Sequence, residues 1–300
     1  MKITIVGSGF VGQASGKGLT RHNHQVTFLD VIPETVAELQ AKGFTAYLPQ
    51  DYKKLTTDIT MFCVPTPTQG DKIQLQHLVT AVSQFAKRLK GHKDYHVAVV
   101  RSTVPPTTTR KILLPIIENI SGKKVGQDFG LVMQPEYLRE ASAEQDFARP
   151  WFILIGEYDK RSGNILEKIY RKFDAPLQRV SLEEAEFQKY VHNVYNAFKI
   201  AFFNEMRIIA NKEGWDASVV FHATAESCEG IWNPIYGMRD FGPFDGSCLP
   251  KDSRALLQWG DDHGYSLEIL RSVISENIRH ENLLGQNETV RVNYLEKISV

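Results

Sequence analysis

The chain has 300 residues, 42% hydrophobic and 23% charged, a composition that allows two domains with real cores. Lys plus Arg and Asp plus Glu each number 35, so no global charge draws the chain to nucleic acid or to an anionic membrane. No apolar run approaches a membrane span, and three cysteines (Cys63, Cys228, Cys248) are too few and too odd for a disulfide framework, so a reducing, cytoplasmic setting is expected.

The N-terminal run KITIV (2–6) is β-branched and short, and glycines stop it before it could serve as a signal peptide. GSGFVG (7–12) follows at once, then a helical stretch (13–22), then QVTFLD, a second strand closing on Asp30. In that context Gly-x-Gly-x-x-Gly is informative. Gly7 permits a tight turn, Gly9 lets the backbone approach a pyrophosphate, and Gly12 lets helix and strand pack closely. The helix N-terminus offers free amides to phosphate. A carboxylate at Asp30 suits a ribose diol and repels a 2′-phosphate, so the expected cofactor is NAD.

The alternation continues through a strand at 58–65, a helix at 77–90, a strand at 95–103, a helix at 109–120 broken near Pro115, and strands at 129–135 and 151–157. This pattern predicts an α/β fold, an N-terminal Rossmann-like, doubly wound parallel sheet. Ligands bind beyond the carboxyl ends of such strands. Three polar clusters fall there: VPTPT (64–68, with Pro65 and Thr66), RSTVPP (101–106, with Thr103) and QPEYLRE (134–140). Taken singly, each reads equally as an ordinary Pro/Thr turn.

After residue 182 the β pattern stops. Residues 182–214 carry no Pro or Gly until Gly214, begin with acids that suit the helix dipole, and predict one long helix buried on more than one face. The expected division is a dinucleotide-binding domain at 1–185 and a helical dimerisation domain at 186–300. Lys189 and Asn193 stand at i and i+4, either a solvated polar stripe or a cation and an amide aimed at a substrate oxygen. A Gly/Asn/Pro-rich loop (229–246) leads to GSCLPKD (246–252), and helices at 252–264 and 267–285 complete the reading. Cys248 beside Lys251 and Asp252 is either an incidental surface thiol or one whose neighbouring cation favours the nucleophilic thiolate. With no Cys-x-x-Cys and no His-Glu-x-x-His, no metal site is expected.

In order, GSGFVG, VPTPT, STVP, PEYLRE, KYVHN followed by NE, and GSCLPKD resemble the UDP-glucose/GDP-mannose dehydrogenase family over most of the chain. The resemblance implies NAD-dependent oxidation of a nucleotide sugar, UDP-glucose foremost, from alcohol to carboxylate by two hydride transfers. It implies that Cys248 captures the aldehyde as a thiohemiacetal, which is oxidised to a thioester and hydrolysed. Lys189 and Asn193 would stabilise the developing oxyanion, Asp252 would position water or assist proton transfer, Glu140 would act as base, and Thr103 would orient water and nicotinamide. Gly7, Gly9, Phe10, Val11, Gly12, Asp30, Pro65, Thr66, Thr103, Glu140 and Lys251 would meet the cofactor. Glu136, Tyr137, Leu138, Arg139, Lys189, Asn193 and Leu249 would meet the substrate. A homodimer through helix 182–214 is implied as well.

Departures accompany the resemblance. Thr107 stands where the family often has glycine, no basic residue lies near Glu34 or Thr35, and Arg239 is not cleanly placed as the arginine that reaches a partner subunit. Family members usually continue into a second Rossmann-like domain that holds much of the nucleotide, so the 300 residues read as a member lacking it. Two other functions compete. Single-step 3-hydroxyacid and 6-phosphogluconate dehydrogenases also use a Lys and an Asn one helical turn apart, but need no cysteine. A non-catalytic NAD-binding partner subunit needs neither Cys248 nor Lys189.

Overall fold

The computed structural model describes residues 1–238 and 242–285, so Arg239 lies outside the described residues. The chain divides into two compact units, Met1–His192 and a second beginning at Asn193.

The first unit is a sheet covered on both faces. Its strands are β1 (Lys2–Val6), β2 (Gln25–Leu29), β3 (Thr45–Tyr47), β4 (Ile59–Phe62), β7 (His96–Val100), β8 (Phe129–Met133), β9 (Ile153–Glu157) and β10 (Leu177–Ser181), with β5 (Thr68–Gln69) and β6 (Lys72–Ile73) forming a separate small hairpin. The spatial order is β10-β9-β8-β7-β4-β1-β2-β3. β4, β7 and β8 are buried at every residue, which is why they read as largely apolar runs. Alternation along each strand sends side chains to opposite layers. Val97 and Val99 join Ile3, Ile5, Phe28 and Leu166 on one face, while Ala98 and Val100 join Phe62, Leu78, Val82 and Ile117 on the other.

The helices of this unit are α1 (Phe10–Arg21), α2 (Pro33–Ala41), α3 (Gln76–Leu89), α4 (Leu114–Ser121), α5 (Ala143–Ala148) and α6 (Lys160–Tyr170). The break expected near Pro115 is a π-helical turn, Thr109–Leu113, which feeds directly into α4. Two features depart from the sequence reading. β9 pairs antiparallel with β8, so β9 and β10 run against the other strands. Residues 134–152 pack α5 along α1, with Glu144 paired to Lys17 and Arg21, and return the chain to the end of the sheet where β8 finished, so β9 runs the other way. The second departure is that α2, β3, α6 and β10 carried no clear sequence signal. β10, LQRVS, is an edge strand with no fully buried residue, so it lacks the apolar run that marks a central strand.

α7 (Leu182–Glu213) begins against the first unit, where Leu182 and Ala185 enter the core, and runs for 32 residues. It stops at Gly214, whose φ of +74° is a left-handed cap. The second unit continues with α8 (Ala217–Ser227), α9 (Glu229–Trp232), α10 (Leu249–Asp262) and α11 (Glu268–Gly285). Its core is small: Ile209, Tyr265, Leu267 and Leu270, backed by Met206, Leu257, Trp259 and Ile274. Glu205 of α7 accepts the N–H groups of Ile269 and Leu270 and so caps α11. The expected burial of α7 on several faces does not occur within one chain. Val194, Tyr195, Phe198, Ile200 and Ile208 are all exposed. Among the described residues no helix is long and apolar enough to cross a membrane.

Candidate active site

β1 sits between β2 and β4, so the chain leaves it first to one side of the sheet and later to the other. That is the point where open α/β sheets bind ligands, at the strands' carboxyl ends. The Gly7–Gly12 turn lies there. Gly7 has φ +89°, and a Cβ on it would come 2.9 Å from the Cys63 and Val64 backbone. A Cβ on Gly12 would come 1.9 Å from the Gly7 carbonyl oxygen, so only glycine allows α1 to start this close to β1. A Cβ on Gly9 would meet nothing within 4 Å, so open space lies beside the turn. α1 opens with no side-chain cap and no acid in its first turn, leaving its amides available. Asp30, buried just past β2, accepts the Ser8 N–H at 2.6 Å and the Ile32 N–H at 2.9 Å. Each carboxylate oxygen keeps a further lone pair. Phe10 is exposed at the turn and Val11 half-buried.

The next two loops of the edge are tied together. Thr66 Oγ1 donates to the Thr103 carbonyl at 2.7 Å, and Ser102 Oγ donates to the Val64 carbonyl at 2.7 Å. Pro65 is exposed beside them.

The third cluster meets α7. Lys189 is 6% exposed. Its Nζ donates to the Glu136 carbonyl and lies 3.5 Å from Glu136 Oε1. Burial holds the ammonium below its ordinary pKa, and the Glu136 charge acts in the opposite sense. Glu136 Oε2 accepts the Leu138 N–H at 2.6 Å. The Tyr137 hydroxyl donates to Gln188 Oε1 at 2.6 Å, and its ring lies 4.9 Å from that of His192. Burial raises the phenol above its ordinary value. Arg139 is committed to Asp146 through two nitrogens, at 2.7 and 3.1 Å, over the Trp151 ring. Glu140 is exposed, in a single 3₁₀ turn, Glu140–Ser142. The structure therefore joins Lys189, Glu136 and Tyr137 in one cluster and Thr103 with Thr66 in another. The carboxylate beside Lys189 is Glu136. The sequence reading gave Glu136 a substrate contact and no proton role, because its pairing with Lys189 spans 53 residues and leaves no local pattern.

The second unit holds the remaining predicted residues. Asn193 follows Lys189 by one turn of α7 and is exposed. Cys248 is exposed at the N-cap position of α10, and its carbonyl accepts the Asp252 N–H at 2.8 Å. Lys251 and Asp252 pair at 2.6 Å, both well exposed, and Leu249 is exposed between them and the thiol. Cys63 is the opposite case: it is buried, and burial pushes its thiol up to about 11, so it stays protonated.

Two descriptions of known families fit this chain. The UDP-glucose/GDP-mannose dehydrogenase family's NAD binding domain matches residues 1–56 and 48–174, and the same family's central domain matches 183–279. The chain belongs to the UDP-glucose/GDP-mannose dehydrogenase family. A GDP-mannose 6-dehydrogenase of Pseudomonas aeruginosa is 35% identical over 98% of this chain and 73% of its own length. A UDP-glucose 6-dehydrogenase of Haloferax volcanii is 30% identical over 92% and 69%. The crystal structure of a ternary complex of the P. aeruginosa GDP-mannose dehydrogenase superposes with a TM-score of 0.88 at 33% identity, covering 93% of this chain and 69% of that one.

This family member uses NAD. The β1–α1–β2 residues fit it without rearrangement. The bare turn and the uncapped start of α1 suit a pyrophosphate, and the spare lone pairs of Asp30 suit a ribose diol.

Proposed function

We propose that the chain oxidises the primary alcohol of a nucleotide sugar to the carboxylate in two steps, with Cys248 holding the aldehyde between them. The observation that carries this reading is an exposed thiol at the start of α10 in a chain that also presents an NAD-binding edge. Bound NAD supplies the hydride acceptor for each oxidation. Cys248 Sγ adds to the aldehyde carbon to give a thiohemiacetal. Loss of hydride from that carbon leaves a thioester, and water cleaves it to the acid and the free thiol. Lys189 and Asn193 stabilise the negative oxygen of the alkoxide and of the thiohemiacetal. Asp252 positions the hydrolytic water or assists proton transfer, Glu140 acts as base toward that water, Thr103 orients water and nicotinamide, and Lys251 serves the cofactor. Glu136, beside Lys189, is placed to exchange a proton with it. Tyr137, Leu138 and Leu249 line the sugar. Arg139, whose guanidinium and backbone N–H both go to Asp146, borders the sugar site.

For the substrate, the higher identity of the GDP-mannose 6-dehydrogenase supports GDP-mannose ahead of the UDP-glucose expected from the sequence. The exposed apolar side of α7 supports a homodimer formed through that helix. The test is NADH formed per sugar consumed, with GDP-mannose and UDP-glucose offered in parallel. Two NADH per acid is the expected result. One NADH would indicate a single-step dehydrogenase, and none a binding subunit.

A further inference from the structure

Glu186 is a fully buried carboxylate to which none of the roles above gives a task. It lies on α7, three residues before Lys189. Both its oxygens face the loop that follows β7. Oε2 accepts the Thr107 N–H at 2.5 Å, and Oε1 accepts the Thr109 N–H at 2.7 Å. Thr109 opens the π-helical turn, so Glu186 satisfies amides that the start of a helix leaves without backbone partners. Thr107 has φ +75°, a left-handed conformation that β-branched residues rarely adopt. Such an outlier persists only where its surroundings hold it. Here the hold comes from Glu186, with Arg110 paired to Glu183 as a second tie between the same loop and the same helix.

The other end of this loop belongs to the cofactor edge. Thr103 takes the Thr66 hydroxyl, and Ser102 binds the Val64 carbonyl. The 64–68 loop borders the Gly7–Gly12 turn, since a Cβ on Gly7 would come 2.9 Å from the Val64 backbone, and the loop that holds Thr107 is tied to it through Thr103 and Ser102. We propose that Glu186 is a positioning residue for NAD, which by holding Thr107 in its left-handed conformation sets the 103–109 loop and, through Thr103, the 64–68 loop. The proposal rests on reading those loops as part of the NAD site.

The experiment is an NADH titration, followed by nicotinamide fluorescence, of the unsubstituted chain, Glu186→Gln, Thr107→Gly and the double variant. All are measured well below their unfolding temperatures. Gln must turn an NH2 toward one of the two N–H donors, so the hold is broken. Glycine adopts φ near +75° unaided, so Thr107→Gly makes the hold unnecessary. Glu186→Gln is expected to weaken NADH about tenfold, the scale of one hydrogen bond to a charged group. Thr107→Gly alone should stay within about twofold, and the double variant should recover most of the loss. A glutamate that merely stabilises the fold would lower the unfolding midpoint and leave the NADH affinity of the folded chain unchanged. That result, or a double variant no tighter than Glu186→Gln, overturns the proposal. Should Glu186→Gln fail to fold, Glu186→Asp, whose shorter carboxylate cannot span both amides, is read in the same way. If the unsubstituted chain binds no NADH, the cofactor reading itself falls and takes the proposal with it.

Discussion

Cys248 and Cys63 show how place decides what a thiol does. One stands exposed at the start of a helix; the other is sealed beside Arg101, with its thiol held protonated. Cys248→Ser keeps size and polarity but replaces a good nucleophile with a poor one. The first hydride transfer needs no thiolate, so one turnover should remain. The second half-reaction should stall, either before its hydride transfer, with free aldehyde released, or at hydrolysis, with an ester-linked sugar visible by mass spectrometry. Steady release of acid at the unsubstituted rate would remove Cys248 from the mechanism. Asp30 carries a second prediction at this scale. Asp30→Ala removes an acceptor for the ribose and also frees the Ser8 and Ile32 amides. NAD should bind ~1–2 kcal/mol more weakly, while the preference over NADP shrinks. Calorimetry with both nucleotides checks it, and an unchanged NAD affinity refutes it.

Between β4 and β7 lies a titration built into the sheet. His96 is fully buried, its Nε2 against Thr60 Oγ1 at 2.9 Å and its Nδ1 donating to the Thr57 carbonyl at 2.8 Å. Burial, with the His92 charge beside it, lowers its pKa from 6.5 to about 3. The folded state thus binds fewer protons than the unfolded state below pH 6.5. The contribution of His96 to stability is complete above pH 6.5 and is lost as pH falls toward 3, by up to about 1.4 kcal/mol per pH unit. Urea unfolding should show a lower midpoint at pH 5 than at pH 7. His96→Gln cannot take up charge, so its midpoint should fall less between the same two values. Equal slopes for the two proteins would show that His96 is not the group responsible. The motif that places this strand, HVAVV, was legible as a buried run. The partners of the imidazole were not, because Thr57 and Thr60 lie 39 and 36 residues away.

At the scale of the whole molecule, the proposed dimer concerns α7, whose apolar residues are largely exposed among the described residues. Phe187, Val191, Val194, Tyr195, Phe198 and Ile200 are each at least 46% exposed along one helix. Isolated exposed apolar residues are ordinary, and a series of this length on one element is the observation on which the proposed homodimer rests. Sedimentation at micromolar concentration should give a dimer mass. Phe198→Asp, which places a charge in that face, should shift the population to monomer while leaving the far-UV circular dichroism unchanged. A monomer for the unsubstituted chain would refute dimerisation through α7.

Local spacing alone determined the Gly7–Gly12 turn, the acid after the second strand and the long helix, while the thiol motif gained its reading only from the ordered set of motifs around it. Each is written in contiguous residues, and for the turn the physical reason is backbone geometry that only glycine permits, as the 1.9 Å between a Cβ on Gly12 and the Gly7 oxygen makes plain. The reversal of β9 and β10 was decided by where residues 134–152 run, which no strand signal reports. The pairing of Lys189 with Glu136 and the hold of Glu186 on Thr107 and Thr109 were likewise decided only in three dimensions. These contacts join residues 53 and 77–79 positions apart, and a buried charge finds its partner through the packing of whole elements, which a short stretch of sequence does not encode.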